Sequence, residues 1–305
     1  LASGKLKTMK TKKIIILGAG AVGSVYGALL SRENEVTLIG NKAHVRTIQT
    51  KGLDLIGEKN QNFRLKAELK IDEIASNTLV LLTTKAEDSI HAIEQMKPIL
   101  RNGTVIIVLQ NGLGNEKAVK KTVGEVEVLR GVTEIAAEFL APGRVHFWKG
   151  KTTIAQSKSA KEIAETFATS GLETCISENI TNDVWNKLIL NCILNPLTAL
   201  FRIRNNEVAS ESLKWIRHEI IRECLTIGKA EGIDLKLDPA TIDNKISSYR
   251  NLSSMCQDII KGKKTEIEFL NGKLVELGQK HGISTPVNQT LTSLMKFLEE
   301  QIIEV

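Results

Sequence analysis

The chain has 305 residues, of which 42% are apolar and 25% charged, so it is neither a disordered nor a fibrous sequence and is long enough for two domains. Lys5, Lys7 and Lys10 carry three of the +6 formal charges; with Met9 as the natural start, residues 1–8 are a leader or expression remnant, and dropping residues 1–10 leaves +3. That balance weakens any case for nucleic-acid binding and suits a pocket for anionic small molecules, and no run reaches membrane-spanning length without a polar or glycine interruption, so no membrane partner is expected.

The first strand is Lys13-Ile14-Ile15-Ile16-Leu17, and it runs into Gly18-Ala19-Gly20-Ala21-Val22-Gly23 and then a helical pattern from Ser24 to Leu30. Strand, GxGxxG turn and helix in that order form a dinucleotide-binding fingerprint. In it Gly18 permits the tight turn, Gly20 lets the backbone approach a pyrophosphate at the helix N-terminus, and Gly23 lets helix pack closely on strand. A secretory signal is excluded by the fingerprint spacing and by residues 31–35, which lead into another strand rather than a cleavage site. Residues 35–39, 78–83 and 104–109 are further short strands, with helical segments before or between them, including 85–96. The alternation predicts an α/β fold with a Rossmann-type, doubly wound, mostly parallel sheet. Residues 53–56 and 63–65 read as an inserted hairpin, and after Pro142-Gly143 the segments 145–148 and 152–155 read as an antiparallel edge of the same sheet.

Beyond about residue 179 the strand signals stop, and 180–200, 207–231, 239–249, 252–281 and 287–303 read as helices, with Thr285-Pro286 as cap and first-turn proline. The expected division is a nucleotide-binding domain at 9–178 and a smaller all-helical domain at 179–305, with the site in the cleft between them. Cys175, Cys192, Cys224 and Cys256 show no CxxC pairing and read as reduced structural thiols of a cytoplasmic protein.

The chemistry is densest in the segment from Trp185 to Ala199. Lys187, Asn191 and Asn195 recur every fourth residue in an otherwise apolar helix, drifting about 40° per step, so they form one polar stripe. Such a stripe faces either a bound ligand or a satisfied polar network between helices. Lys85 and Asn111 stand beyond the ends of two strands, where ligands of parallel sheets lie, although either is also acceptable as a solvated loop residue. Later, Ser254 and Asp258 share a helix face. Glu266 is about 80° from Asp258 on an ideal helix, so it needs curvature, a break near Gly262, or a place at the edge of the stripe; otherwise it is a surface carboxylate, as Glu268 is expected to be.

In combination, GAGAVGS, TTKAED, QNGLGN, WNKLILNCILNPLTAL, SSMCQD and TEIEFLNG resemble the ketopantoate reductase family, over nearly the whole chain from about Lys13. The resemblance implies hydride transfer from NADPH to the ketone of 2-dehydropantoate, giving pantoate for pantothenate and coenzyme A synthesis. It places Lys187 as the catalytic lysine and Glu266 as the active-site glutamate, which could pair with it. Asn111, Asn191, Asn195 and Ser254 match substrate contacts. Gly18, Ala19, Gly20, Ala21, Val22, Gly23, Lys85 and Asn111 match the cofactor side, and no metal is implied. The family commonly has arginine where Asn41 stands, to hold the NADP 2′-phosphate; with no carboxylate there either, Lys42 is the candidate for that charge. A homodimer is a candidate assembly, which the sequence does not fix. The competing functions are a paralogous reductase of another 2-oxo acid or opine-like imine, and a non-catalytic NADP-binding sensor, which would have no need of both Lys187 and Glu266.

Overall fold

The structure is a computed structural model that describes residues 12–303, so Met9 and the segment before it lie outside the described residues. The first half alternates strands and helices: β1 (Lys13–Leu17), α1 (Ala21–Leu30), β2 (Glu35–Ile39), α2 (Lys42–Lys51), β3 (Leu53–Ile56), β4 (Gln61–Phe63), β5 (Lys66–Glu68), β6 (Leu79–Leu82), α3 (Ser89–Met96), β7 (Val105–Val108), α4 (Asn115–Val123), β8 (Glu127–Thr133), β9 (Ala136–Ala141), β10 (Arg144–Trp148), β11 (Thr152–Ala155), α5 (Ala160–Thr169) and β12 (Thr174–Ser177). Eight strands form one sheet in the order β12-β11-β8-β7-β6-β1-β2-β5. All neighbours are parallel except β11, which runs antiparallel to β8.

The apolar strands alternate side chains between two cores, as the period of two requires. Ile14, Ile16, Leu38, Leu79 and Leu81 face α1 and α5, while Ile15, Leu17, Ile39, Val80 and Leu82 face α3 and α4. Helices on both faces explain why β1, β6 and β7 read as continuous apolar runs.

Residues 144–148 correct the sequence-based expectation. They are not an edge of the main sheet but pair with β3 and β9 in a second, four-stranded sheet of order β4-β3-β10-β9, which packs on the α1 side of the core. The hairpin of β3 and β4 belongs to this sheet, whereas residues 152–155 do form the antiparallel strand expected.

The second half is helical: α6 (Ile180–Phe201), α7 (Lys214–Ala230), α8 (Pro239–Ser248), α9 (Ser254–Ile260), α10 (Asn271–His281) and α11 (Pro286–Ile303). We place the domain boundary at residues 178–179, where β12 gives way to α6 and the Asn179 side chain caps the new helix by accepting from Asn182 N at 3.2 Å. Two expected helices are shorter than their apolar patterns. Residues 205–213 form 3₁₀ turns before α7 begins, and 252–281 is broken after Ile260, where Gly262 takes φ +63° and a 3₁₀ turn at Ile267–Phe269 precedes α10.

Helix α6, with 22 residues, is long and apolar enough to cross a membrane by length and composition, although Lys187, Asn191 and Asn195 interrupt it as the sequence reading noted, and 67% of its most apolar stretch is buried within the protein. It is the central helix of the second core, supplying Leu188, Ile189, Cys192, Ile193 and Leu197. Pro196 lacks the N–H that would bond the Cys192 carbonyl one turn back. The buried Asn271 takes over that bond, donating from Nδ2 to Cys192 O at 3.0 Å and to Asn288 Oδ1 at 2.9 Å. Asn288 in turn donates to the buried Glu223, which also accepts Val287 N and Asn288 N at the start of α11, at 2.9 and 3.0 Å.

Candidate active site

A cavity of about 750 Å³ lies between the carboxyl ends of β1, β6, β7 and β8 and the helices α6, α8 and α9. Its floor is the glycine turn. Gly18 has φ +108°, and a Cβ there would stand 2.4 Å from Thr84 N, so no other residue fits. At Gly23 a Cβ would lie 2.2 Å from Gly18 O, which makes this glycine a packing residue, and it does not line the cavity. Gly20 differs, with nothing within 4 Å of its Cβ position. It is the N-cap residue of α1, whose first turn has no side-chain cap and no acidic residue. Open space beside uncapped amides suits a pyrophosphate, and Ala19, Ala21 and Val22 line the same wall.

The strand ends bring the next residues in. Lys85, after β6, pairs with Asp258 of α9 at 2.9 Å and donates to Lys264 O at 2.6 Å. Asn111, after β7, donates from Nδ2 to Glu266 Oε2 at 3.4 Å, and Glu266 Oε1 accepts Ala86 N at 3.0 Å. Glu266 reaches the cavity because the chain breaks after α9, resolving the angular mismatch in the sequence. Burial raises its pKa despite the bonds from Ala86 and Asn111 and the charge of Lys85.

From the opposite side, Lys187, Asn191 and Asn195 of α6 all line the cavity. Lys187 has its pKa lowered to about 8, first by burial and then by the charge of Arg130, with Glu266 and Glu134 partly offsetting both. No Lys187–Glu266 ion pair forms among the described residues, so their coupling is through space. Ser254 is the first residue of α9 and faces the cavity; its neighbour Ser253 is buried, capping α9 through Cys256 N at 3.0 Å and bonding the Thr198 hydroxyl at 2.6 Å.

Lys42 is not brought to the cavity. It stands exposed at the start of α2, while Asn41, which does line the cavity, caps that helix by accepting His44 N at 3.0 Å. Sequence reading also missed polar groups around the site. Glu134 and Lys245, both lining the cavity, pair across the cleft at 2.7 Å although 111 positions apart in sequence, and no local pattern announces such a contact. Gln110 ties the loop before Asn111 to Thr84 O at 2.9 Å, and buried Arg130 holds the carbonyls of Gln110 and Gly112.

Comparison with known proteins identifies the family. The family described as "Ketopantoate reductase PanE/ApbA" matches residues 14–159, and its C-terminal counterpart matches residues 179–299. The chain belongs to the ketopantoate reductase family. Two relatives named 2-dehydropantoate 2-reductase, from Pyrococcus horikoshii and Pyrococcus abyssi, are 36% and 34% identical to it, over 94% and 93% of this chain and 97% of each of theirs. Among solved structures, a PanE/ApbA family ketopantoate reductase from Ralstonia eutropha superposes with a TM-score of 0.88 at 32% identity, covering 95% of this chain and 99% of that one. A D-mandelate dehydrogenase with NADH and anilino(oxo)acetate also superposes with a TM-score of 0.88, at 28% identity and the same coverage. The ketopantoate reductase frame thus extends beyond proteins bearing that name.

Proposed function

We propose that the protein is an NADPH-dependent reductase of 2-dehydropantoate, producing (R)-pantoate for pantothenate and coenzyme A synthesis in the cytoplasm. One observation carries the reading: Lys187 and Glu266, from opposite walls, face one cavity whose floor is the dinucleotide turn. That turn fits the cofactor, because Gly20 leaves room for a pyrophosphate against the amides of α1. When bound, the reduced nicotinamide supplies the hydride that adds to the carbonyl carbon.

The side chains account for the rest of the reduction. Negative charge develops on the ketone oxygen, and the Lys187 ammonium stabilises it and donates the proton. Asn191 and Asn195 orient that amine and bind the substrate hydroxyl without adding charge. Asn111 and Ser254 hold the substrate carboxylate, and Glu266 accepts from its hydroxyl. Lys85 is the cofactor-side cation. Preference for NADPH over NADH rests on the end of β2, where Gly40, Asn41 and Lys42 bring no carboxylate to repel a 2′-phosphate and Asn41 lines the cavity.

The test is NADPH oxidation with and without 2-dehydropantoate, beside a panel that includes the oxo acid of mandelate, since the D-mandelate dehydrogenase likeness favours a second reading as a reductase of another 2-oxo acid. Turnover fastest on 2-dehydropantoate supports the proposal. Faster turnover on another oxo acid moves the assignment to that substrate, and tight NADPH binding without turnover on any of them makes the protein a sensor.

A further inference from the structure

We propose that Arg130 is a positioning residue of the reduction, holding the Gln110–Gly112 turn so that Asn111 faces Glu266 across the cleft. The inference rests on the proposed roles of Asn111 and Lys187. Arg130 lies in β8 opposite Val108 of β7 and is 6% exposed. Its Nη2 donates to Gln110 O at 2.7 Å and to Gly112 O at 3.0 Å, the two carbonyls that flank Asn111. On its other side the turn is pressed against the helical half: Gly112 has φ +86°, and a Cβ there would lie 2.8 Å from Phe269 O, in the 3₁₀ turn that follows Glu266. Asn111 is therefore fixed between a buried guanidinium and the segment that carries its own partner.

The guanidinium is an expensive way to fill this space. Among the described residues its Nε and Nη1 have no hydrogen-bond partner, and the nearest carboxylate, Glu116, stands 4.0 Å from Nε. An apolar side chain of similar size would pack there at lower cost but would leave both carbonyls of the turn without a donor. The charge has a second effect: Asp183, one turn earlier on α6, and Lys245, paired with Glu134, line the same cavity, but the charged groups acting on Lys187 are Arg130 from β8, Glu134 just beyond it and Glu266 past α9. Of these only Arg130 repels a proton on the Lys187 amine.

Arg130→Met and Arg130→Lys in the full chain separate the hydrogen bonds from the charge. Arg130→Met should raise KM for 2-dehydropantoate roughly tenfold or more with NADPH Kd within about twofold, and should move the alkaline limb of kcat/KM to higher pH. Arg130→Lys keeps the charge on a shorter stem, so the limb should stay in place while KM remains raised by roughly threefold or more. An unchanged KM in Arg130→Lys overturns the inference, including where Arg130→Met fails to fold, as does a folded Arg130→Met with unmoved KM and limb. Lack of turnover by the unmodified protein would instead overturn the reductase reading, which keeps the two failures apart.

Discussion

An amine enclosed by protein holds its proton less firmly than one in water, and for Lys187 the pKa falls from 10.5 to about 8. A proton donor acts only while protonated, so kcat/KM for ketone reduction should be level below about pH 8 and fall about tenfold per pH unit above it. A pH–rate profile without that limb would remove Lys187 as the acid. Stability has its own sign. Between the folded and unfolded pKa the unfolded chain binds the extra proton, so this group favours the folded state increasingly as pH rises from about 8 to 10.5 and burdens it at neutral pH. Lys187→Met should therefore lower kcat by roughly 10²-fold or more while Tm at pH 7 stays level or rises. A lowered Tm with near-normal kcat would mean that the amine is structural. Lys187, Asn191 and Asn195 were legible because a fourfold spacing on one helix survives in sequence. Arg130 and Glu134 were not, because their partners come from other elements. Asn41 was legible only as a missing arginine; the structure adds that it caps α2. Asn41→Asp keeps a capping oxygen but puts a carboxylate at the cavity, so kcat/KM with NADPH should fall roughly tenfold or more and that with NADH much less. An equal loss with both cofactors would place the 2′-phosphate elsewhere.

Among the elements, α6 carries Lys187, Asn191 and Asn195 and contains Pro196, whose missing N–H leaves a carbonyl that Asn271 satisfies. Asn271→Ala should lower stability by about 1–3 kcal/mol, read from the thermal or urea transition, since it leaves the buried Cys192 O and Asn288 Oδ1 without that partner. Pro196→Ala returns a helical N–H to the same carbonyl. The cost of Asn271→Ala should then shrink in the Pro196→Ala background, and strictly additive costs would show that the two residues do not share this bond. The sequence announced α6 and the glycine turn because both are written in contiguous residues. It did not announce the second sheet, whose parallel pairing joins Asp54 to Arg144 across most of the first domain, nor β5, an edge strand of three polar-flanked residues. The broken α9–α10 segment was half legible: its apolar spacing stays helical throughout, and only the angle between Asp258 and Glu266 pointed to curvature, an edge position or the break that Gly262 makes.

At the scale of the molecule, the two halves are tied across the cavity. Besides the Lys85–Asp258 and Lys245–Glu134 pairs, Leu252 N donates to Glu138 at 2.9 Å, Gln257 Nε2 to Ala137 O at 3.1 Å, and Lys261 Nζ to Phe139 O at 2.7 Å. Most of these bonds involve groups that line the cavity, so a ligand filling one part of it alters the ties that hold the other. The cofactor floor belongs to the sheet and the lysine stripe to α6, and a substrate carbonyl between them needs both in place. The 2-oxo acid should therefore bind at least roughly tenfold more tightly to the NADP⁺-loaded protein than to the empty one, measured by isothermal titration calorimetry. Linkage demands the reciprocal result, that saturating oxo acid tightens NADP⁺ by the same factor. Equal oxo acid affinities with and without NADP⁺ would mean that the two ligands occupy independent sites and that the cavity between the halves is not where hydride transfer takes place.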